Sequence, residues 1–456
     1  MAISATCVWE IRTTGSDING GGYTSGGTDY SQQNSAQLTL ADVVGNGTTT
    51  LTSATGGFTS AMIGNIINVA TVGRREITGY TNTNTITVDA SVSAGTYTGY
   101  IGGALANPGE CTAKGCVAGN KIWLKSGTYT QTSTSTSAGG ACAVSLPAGS
   151  GSNFTWLEGY YSTRGDKPSS ANKPVISAGA LTSCTSVTIN NATVASYVIV
   201  DSNNGASNQS FGLGNYALAY WCEAKNAKNS GFGCYGLNSI TICCLASRCQ
   251  TTQAYSDGLH LYSVAYNNQM TGFSGGSICC IGCISAYNTG STGRHGFVFN
   301  QSGRAINCTA HQNGGAGFYK NASNTSGTFI NCVATENGTY GFDCNSDLGN
   351  LLISCVGWSN STADFRNTIT SNQKINCSSA SSDPFTASDG SAPTTSGYLS
   401  PNATASAGAL LRSLAFPANF PILTGTTNYQ DIGAIGHQDS ASGGGGFLVG
   451  PSNLVS

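Results

Sequence analysis

Between residues 197 and 382 the apolar positions recur with two periods at once, a short one that picks alternate residues and a long one of roughly two dozen positions. The clearest copies are Ile306-Asn-Cys-Thr-Ala-His-Gln-Asn313, Ile330-Asn-Cys-Val-Ala-Thr-Glu-Asn337 and Ile353-Ser-Cys-Val-Gly-Trp-Ser-Asn360, followed by Ile375-Asn-Cys-Ser-Ser-Ala-Ser-Ser382. Their key residues Cys308, Cys332, Cys355 and Cys377 recur at nearly equal intervals. The series runs back through Cys283, Ser263, Cys244 and Cys222 to Val200. In a strand, residues two apart share a face. Simple alternation therefore puts the residues two before the key (Tyr220, Ile242, Leu261, Ile281, Ile306, Ile330, Ile353, Ile375) on its face. The residues two after it (Ala224, Ala246, Ala265, Ser285, Ala310, Ala334, Gly357, Ser379) join them. The expected inward face reads Ile, Cys, Ala.

Five residues after the key stands Asn in five copies, Asn268, Asn288, Asn313, Asn337 and Asn360. Asn at a bend can pass its side-chain amide along a stack and satisfy turn backbone groups. Gly-Phe pairs follow, among them Gly231-Phe232, Gly272-Phe273, Gly296-Phe297, Gly317-Phe318 and Gly341-Phe342. A coil of this length cannot bury its own inward face, but stacked coils bury continuous columns. The pattern predicts an all-β chain built on a right-handed parallel β-helix. Eight marked coils at the usual strand spacing would make a stack roughly 40 Å long. A leucine-rich repeat is the rival solenoid, and its Leu signature is missing.

The same register assigns the cysteines. Cys222, Cys244, Cys283, Cys308, Cys332, Cys355 and Cys377 form one structural core column of reduced thiols acting as small hydrophobes. Cys280-Ile-Gly-Cys283 has CxxC spacing, but strict alternation points its two side chains to opposite faces, against a zinc site. Cys111 with Cys116, and Cys142 with Cys184, are two further candidate pairs, left open.

Composition narrows the function classes. Charged residues are 8% of the 456, and 18 Lys+Arg against 20 Asp+Glu give a net charge of −2. That excludes a basic nucleic-acid binder or a polybasic membrane binder. The start, MAISATCVWE, has neither a basic segment nor an apolar stretch, so synthesis in a cytosol without a signal peptide is expected. No apolar run reaches the roughly 18 residues of a membrane span, so no membrane insertion is expected.

Two further segments carry a resemblance. Trp9-Glu-Ile-Arg-Thr-Thr-Gly-Ser-Asp-Ile-Asn-Gly-Gly-Gly-Tyr23 and Val117-Ala-Gly-Asn-Lys-Ile-Trp-Leu-Lys-Ser-Gly-Thr-Tyr-Thr130 resemble the opening coils of pectin-lyase-like β-helix proteins. Asp431-Ile-Gly-Ala434 resembles a motif that often closes such chains. The TTGSD…NGGGY opening, the low charge and the repeat are similar to phage-encoded virion proteins of this fold. The family includes lyases, hydrolases, virion spikes and non-catalytic surface proteins, so the resemblance is specific for fold and not for activity.

The expected organisation is a β-helix opening over 1–35, a small β insertion over 36–102 and the parallel β-helix over 103–385. A C-terminal capping region follows over 386–437, with a short helix near 407–415. A Gly-rich linker and apolar tail over 438–456 end the chain. The insertion is expected to be antiparallel, from Thr48-Thr-Thr-Leu-Thr52, Ile66-Ile-Asn-Val69 and Thr85-Ile-Thr-Val88.

Candidate chemistry lies on outward columns. Three residues past the key stand Lys225, Ser247, Tyr266, Ala286, His311, Thr335 and Trp358; one further stand Asn226, Arg248, Asn267, Tyr287, Gln312, Glu336 and Ser359. Aromatic faces and amides suit sugar rings. Tyr266, Tyr287, His311, Glu336 and Trp358 are the glycan-binding or interface candidates. For catalysis the candidates are Asp257, His260, Glu336 and Asp343, which form no recognised motif. Glycoside hydrolysis needs two carboxyl groups roughly 5–9.5 Å apart, and carboxylates several coils apart exceed that. His260, His295, His311 and His437 fit no metal spacing or triad and are expected at the surface. No metal is expected, since Asp343 and Asp347 alone are too sparse a ligand set, and no cofactor is expected. The expected role is a phage virion structural protein, a capsid decoration or a tail spike or fibre component, with host or environmental polysaccharide as a candidate ligand. Homo-oligomeric partners and other virion proteins are expected. The alternative is a polysaccharide-degrading tail-spike enzyme, a glycan lyase or glycoside hydrolase.

Overall fold

The structure is a computed structural model. It describes residues 3–385 apart from 133–134, 138–139, 182–184, 204–208, 237, 291–293, 321–325 and 345–348, and beyond them Leu399 and Leu411. Two compact units are present, Met1–Pro168 with Asn172–Ile199, and Ser169–Ala171 with Val200–Ser456.

The second unit is a right-handed parallel β-helix. Each coil gives one strand to each of three sheets, as in Cys279–Ile281, Ile284–Ala286 and Phe297–Phe299. These pair in parallel with Gly303–Ile306, Thr309–His311 and Phe318–Lys320 of the next coil. Within this unit each sheet has eight described strands, running from Leu218–Tyr220 to Lys374–Ile375 in the first sheet. Since the coil pitch equals the strand spacing, equivalent side chains meet at van der Waals distance. Phe211, Phe232, Tyr255, Phe273, Phe297, Phe318, Phe342 and Phe365 stack with centroids 4.5–5.2 Å apart and planes within 3–9°.

The asparagine ladder is present as the sequence predicts. Nδ2 of Asn268 donates to Oδ1 of Asn288 at 2.8 Å, Asn288 to Asn313 at 2.8 Å, Asn313 to Asn337 at 3.0 Å and Asn337 to Asn360 at 2.9 Å. Glycine precedes the stacked Phe because a side chain there would strike the ladder. A Cβ on Gly317 would lie 2.8 Å from Asn337 Nδ2, and one on Gly272 would lie 2.1 Å from Ser285 Oγ.

The cysteine column also faces inward. Cys222, Cys244, Cys283, Cys308, Cys332 and Cys355 are fully buried, and Cys377, in the last coil, is partly exposed. Thiols of this column reach carbonyls of the preceding coil, for example Cys308 Sγ to Cys280 O at 3.4 Å and Cys332 Sγ to Ala305 O at 3.4 Å.

The isoleucine column is a correction. Ile242, Ile281, Ile306, Ile330 and Ile353 are half-exposed on the outer face, and Ile375 is 46% exposed. The core instead takes the preceding residues, Cys280, Ala305, Phe329 and Leu352, all fully buried. Between Ile and Cys stands one residue with positive φ, such as Asn307 (51°), Asn331 (52°) or Ser354 (53°). That left-handed residue turns the chain through a corner and resets the alternation, so Ile points out and Cys, two positions on, points in. The same corner corrects the CxxC assignment. Gly282 has φ 63°, and Cys280 and Cys283 both point into the core.

The first unit opens with parallel strands Val8–Ile11, Lys121–Lys125, Thr155–Tyr160 and Thr193–Ser196. Gly22–Tyr23 pairs antiparallel with the first of these. The insertion over 36–102 is a closed antiparallel barrel of six strands around Val43, Leu51, Phe58, Ile67, Ile77 and Ile86, so it leaves no open sheet edge. Cys111 and Cys116 form a disulfide with Cα atoms 5.5 Å apart, closing a tight loop. Cys184 and the Cys142 side chain lie outside the described residues. Glu10 is fully buried. Arg12 and Arg164 each hold it at 2.7 Å, and Arg164 also meets Asp29 at 2.7 Å.

Of the expected cap over 386–437, Leu399 and Leu411 are described. With Phe385 they are buried against the outer side of the second sheet, on Ile284, Ala286, Val333 and Val356. The closing motif, His437, Asp347 and the apolar tail lie outside the described residues.

Candidate functional site along the second corner

The second and third sheets also meet at a left-handed residue. Its φ is 54° at Asn226, 57° at Arg248, 51° at Asn267, 55° at Tyr287, 48° at Gln312, 53° at Glu336 and 52° at Ser359. Asn tolerates this conformation, whereas for Arg, Tyr, Gln and Glu it costs about 1–2 kcal/mol. Strained positions that keep a large polar side chain are candidates for function.

At the Asn226 end these side chains line a cleft of about 310 Å³ formed by Asn226, Arg248, Gln250, Asn267 and Gln269. Asn226 Nδ2 is held by Asp201 Oδ1 at 2.9 Å. Arg248, Asn267 and Gln269 are exposed, and their side chains have no hydrogen-bond or ion-pair partner among the described residues. The cleft thus offers one guanidinium and the amides of Asn267 and Gln269 on a rigid, repeating backbone. Further along the same edge Tyr266 meets Tyr287 edge-on at 5.7 Å, and Tyr287 meets His311 at 5.3 Å. His311 Nδ1 lies 2.8 Å from Thr335 Oγ1, and its Nε2 lies 4.0 Å from Glu336 Oε2. Gln312 Nε2 donates to Glu336. Trp358 pairs in register with Thr335 and is half-buried.

The structure therefore gathers Tyr266, Tyr287, His311 and Glu336 on one edge. It also corrects the surface assignment of three histidines. His311 is fully buried, with Phe385 at 6.3 Å. His260 is fully buried in the core, 2.8 Å from Thr241 Oγ1, and burial pushes its pKa down to about 4. His295 is half-buried, stacked on Tyr319 at 4.2 Å, and accepts the Ala316 N–H at 2.9 Å. Burial takes it to about 4, against the pull of Asp343.

The four acid–base candidates are not brought together. Asp257 is exposed and accepts the backbone N–H of Gly276 at 2.6 Å, while His260, three residues on, points into the core. Glu336 stands at the second corner. Asp343 stands on the outer face of the third sheet, in register with Tyr319, and pairs with Arg366 at 2.6 Å. Arg366 also lies over Tyr340 at 5.8 Å. Sequence reasoning missed the Asp343–Arg366 pairing, because the loop between them hides the register. It also missed Gln250 and Gln269, each two residues past a corner residue, a spacing that could have found them. In the first unit it missed Lys121, which lies 3.9 Å from the Trp123 ring and 2.7 Å from Glu158, beside Trp156.

Among the described residues no group of three or more His, Cys, Asp or Glu is placed to hold a metal ion, and no helix is long and apolar enough to cross a membrane. No family model matches the chain. No curated protein matches it. Among solved structures, the chain is similar to pectate lyase Pel9A at 14% identity, covering 74% of this chain and 92% of that one, with a TM-score of 0.46. It is similar to the A-module of the Azotobacter vinelandii mannuronan C-5 epimerase AlgE4 at 12% identity, covering 54% and 80%, with a TM-score of 0.36. It is also similar to ORF18 of Geobacillus virus E2 at 10% identity, covering 57% and 52%, with a TM-score of 0.37.

Proposed function

We propose that the chain is a carbohydrate-binding β-helix carried on a phage particle, as a capsid decoration or a tail spike or fibre component. The observation that carries the binding role is the cleft of Asn226, Arg248, Gln250, Asn267 and Gln269. Planar amides and a guanidinium match vicinal hydroxyls, and the ladder beneath them keeps reorganisation on binding small. In a chain with 8% charge, an exposed Arg without an acidic partner in a left-handed corner is hard to account for unless a ligand meets it. The virion role is supported by the opening motif and the charge-poor repeat.

The test is an array of bacterial capsule and lipopolysaccharide oligosaccharides, followed by titration of any hit. Arg248→Ala and Asn267→Ala should each weaken binding about tenfold, as expected for roughly 1.4 kcal/mol. Unchanged affinity in both variants refutes the cleft. Proteomics of purified particles tests the virion role; absence of the chain there refutes it.

A second reading, a polysaccharide-degrading spike enzyme, is favoured by the Asp343–Arg366 pair beside Tyr319 and His295. Release of oligosaccharides from host polysaccharide that Asp343→Asn abolishes would establish it.

A further inference from the structure

A cavity of about 740 Å³ lies within the first unit, walled by the barrel hairpin at 70–73, the opening turn at Asp17 and Ile18, and the loop 112–117. Sites for small organic ligands span roughly 300–1,000 Å³. Three of the chain's 18 lysines and arginines, Arg74, Arg75 and Lys114, line it against one carboxylate, Asp17. Arg74 is 8% exposed and is fixed by backbone carbonyls alone. Its Nε donates to Gly20 O at 2.9 Å, and its Nη2 to Asn19 O at 2.6 Å and to Asp17 O at 2.8 Å. Its Nη1 has no partner among the described residues. A guanidinium stays charged, and a buried charge is costly unless it is paired. Neither Arg74 nor Arg75 forms an ion pair among the described residues. Burial pushes the Arg74 pKa down to about 10, against the pull of Asp17 and Glu110. The Asp17 carboxylate is itself engaged, accepting the N–H of Ala106 at 3.0 Å and of Asn107 at 3.1 Å. Lys114 stands in the loop that the Cys111–Cys116 disulfide closes. It meets Glu110 at 3.6 Å with both side chains about a third exposed, a weak pair that a ligand can displace. The rest of the lining includes Ile18, which is 52% exposed, Val72, Val117 and Tyr100, whose hydroxyl has no partner among the described residues.

We propose that this cavity binds an acidic sugar, with the sugar's carboxylate on Arg74 and Lys114 and its ring against Tyr100 and Ile18. A guanidinium N–H and an ammonium both donate to a carboxylate in charge-assisted hydrogen bonds. An aromatic face beside a free hydroxyl suits a pyranose ring. A bare inorganic ion would leave most of the volume unfilled. Arg74 is held on three carbonyls before any ligand arrives, so little reorganisation accompanies binding. The choice of a sugar rests on the carbohydrate-binding reading, whereas the negative charge rests on this cavity alone.

The full chain is titrated by calorimetry with oligosaccharides carrying glucuronate, galacturonate or sialate, with their carboxyl-reduced forms, and with inorganic phosphate. At least one acidic oligosaccharide should bind with a Kd of about 1 mM or tighter. Its carboxyl-reduced form should bind about tenfold more weakly or not at all. Lys114→Glu, at a partly exposed position, should weaken binding at least about tenfold, and added salt should weaken it in the wild type. Arg74→Lys, which keeps the charge and loses Nη1, should also weaken it. Circular dichroism checks that each variant is folded. The titrations are repeated in the Arg248→Ala chain to separate the two sites. Binding that Arg248→Ala removes and Lys114→Glu leaves intact belongs to the cleft of the second unit and overturns the proposal. So do the absence of binding by every acidic oligosaccharide, equal binding of the carboxyl-reduced forms, and phosphate binding as tight as that of the sugars.

Discussion

Replacing Asn313 with Ala tests what the polar ladder contributes. Asn313 Nδ2 donates to Ser285 O at 3.0 Å and to Asn337 Oδ1 at 3.0 Å, while its Oδ1 accepts from Asn288 Nδ2 at 2.8 Å. All of these groups are buried, so water cannot replace the lost partner. Each orphaned buried group costs about 1–3 kcal/mol. Three of them, with part of the loss relieved by remaining partners, give an expected destabilisation of about 3–6 kcal/mol. Asn360 is the internal comparison. It accepts from the buried Asn337 Nδ2 at 2.9 Å and donates to the buried Ala334 O at 2.9 Å and to Asp364 Oδ1 at 2.7 Å, so Asn360→Ala should cost a comparable amount. The assay is urea unfolding of both variants, followed by circular dichroism and tryptophan fluorescence. A loss below about 1 kcal/mol at both positions would show that the ladder is incidental to stability.

Three further outcomes are expected. Maleimide labelling of the native protein, resolved by mass spectrometry, should be slow at Cys308, Cys332 and Cys355 and faster at the partly exposed Cys279 and Cys377; rapid labelling of Cys332 contradicts the inward column. His260 has a folded pKa of about 4 against 6.5 unfolded, so the unfolded chain binds more protons between those values and stability falls as pH drops from 6.5 towards 4. The contribution is about 3 kcal/mol, and His260→Gln should reduce that slope without abolishing it, since His295 titrates over the same range; an unchanged slope excludes His260 as a source. Gly272→Ala should destabilise the coil, because its new Cβ would sit 2.1 Å from Ser285 Oγ, and Ser285→Ala should partly rescue it in a double-mutant cycle.

The repeat length, the inward Cys, the Asn ladder and the Phe stack were legible because each is a column of one residue type at one offset. The facing of the isoleucines was not, because hydrophobicity alone says nothing about corners. Asn307, Asn331 and Ser354 look like ordinary strand residues, yet their left-handed backbone shifts everything before them by one face. The histidines failed for a related reason. His260 occupies an inward position of that shifted register, and the cover over His311 comes from Phe385, which is remote from it in sequence. The corner column around Arg248 was readable as a column, whereas the cleft itself required the positions of Gln250 and Gln269.

From Trp221 and Asn226 through to Ser354 and Ser359, the two left-handed corners of each coil keep one constant spacing along the chain. The return interval, from the second corner to the first corner of the next coil, does not. It is short from Arg248 to Tyr262 and clearly longer from Tyr287 to Asn307. Growth and loss of sequence are therefore confined to one side of each turn, while the other side is a bracket of fixed length. A designer could splice new loops on either side of the third-sheet strand, coil by coil, and expect the bracket to hold its shape. Natural variants of this chain should show the same asymmetry, with insertions and deletions absent between the paired corners and frequent outside them.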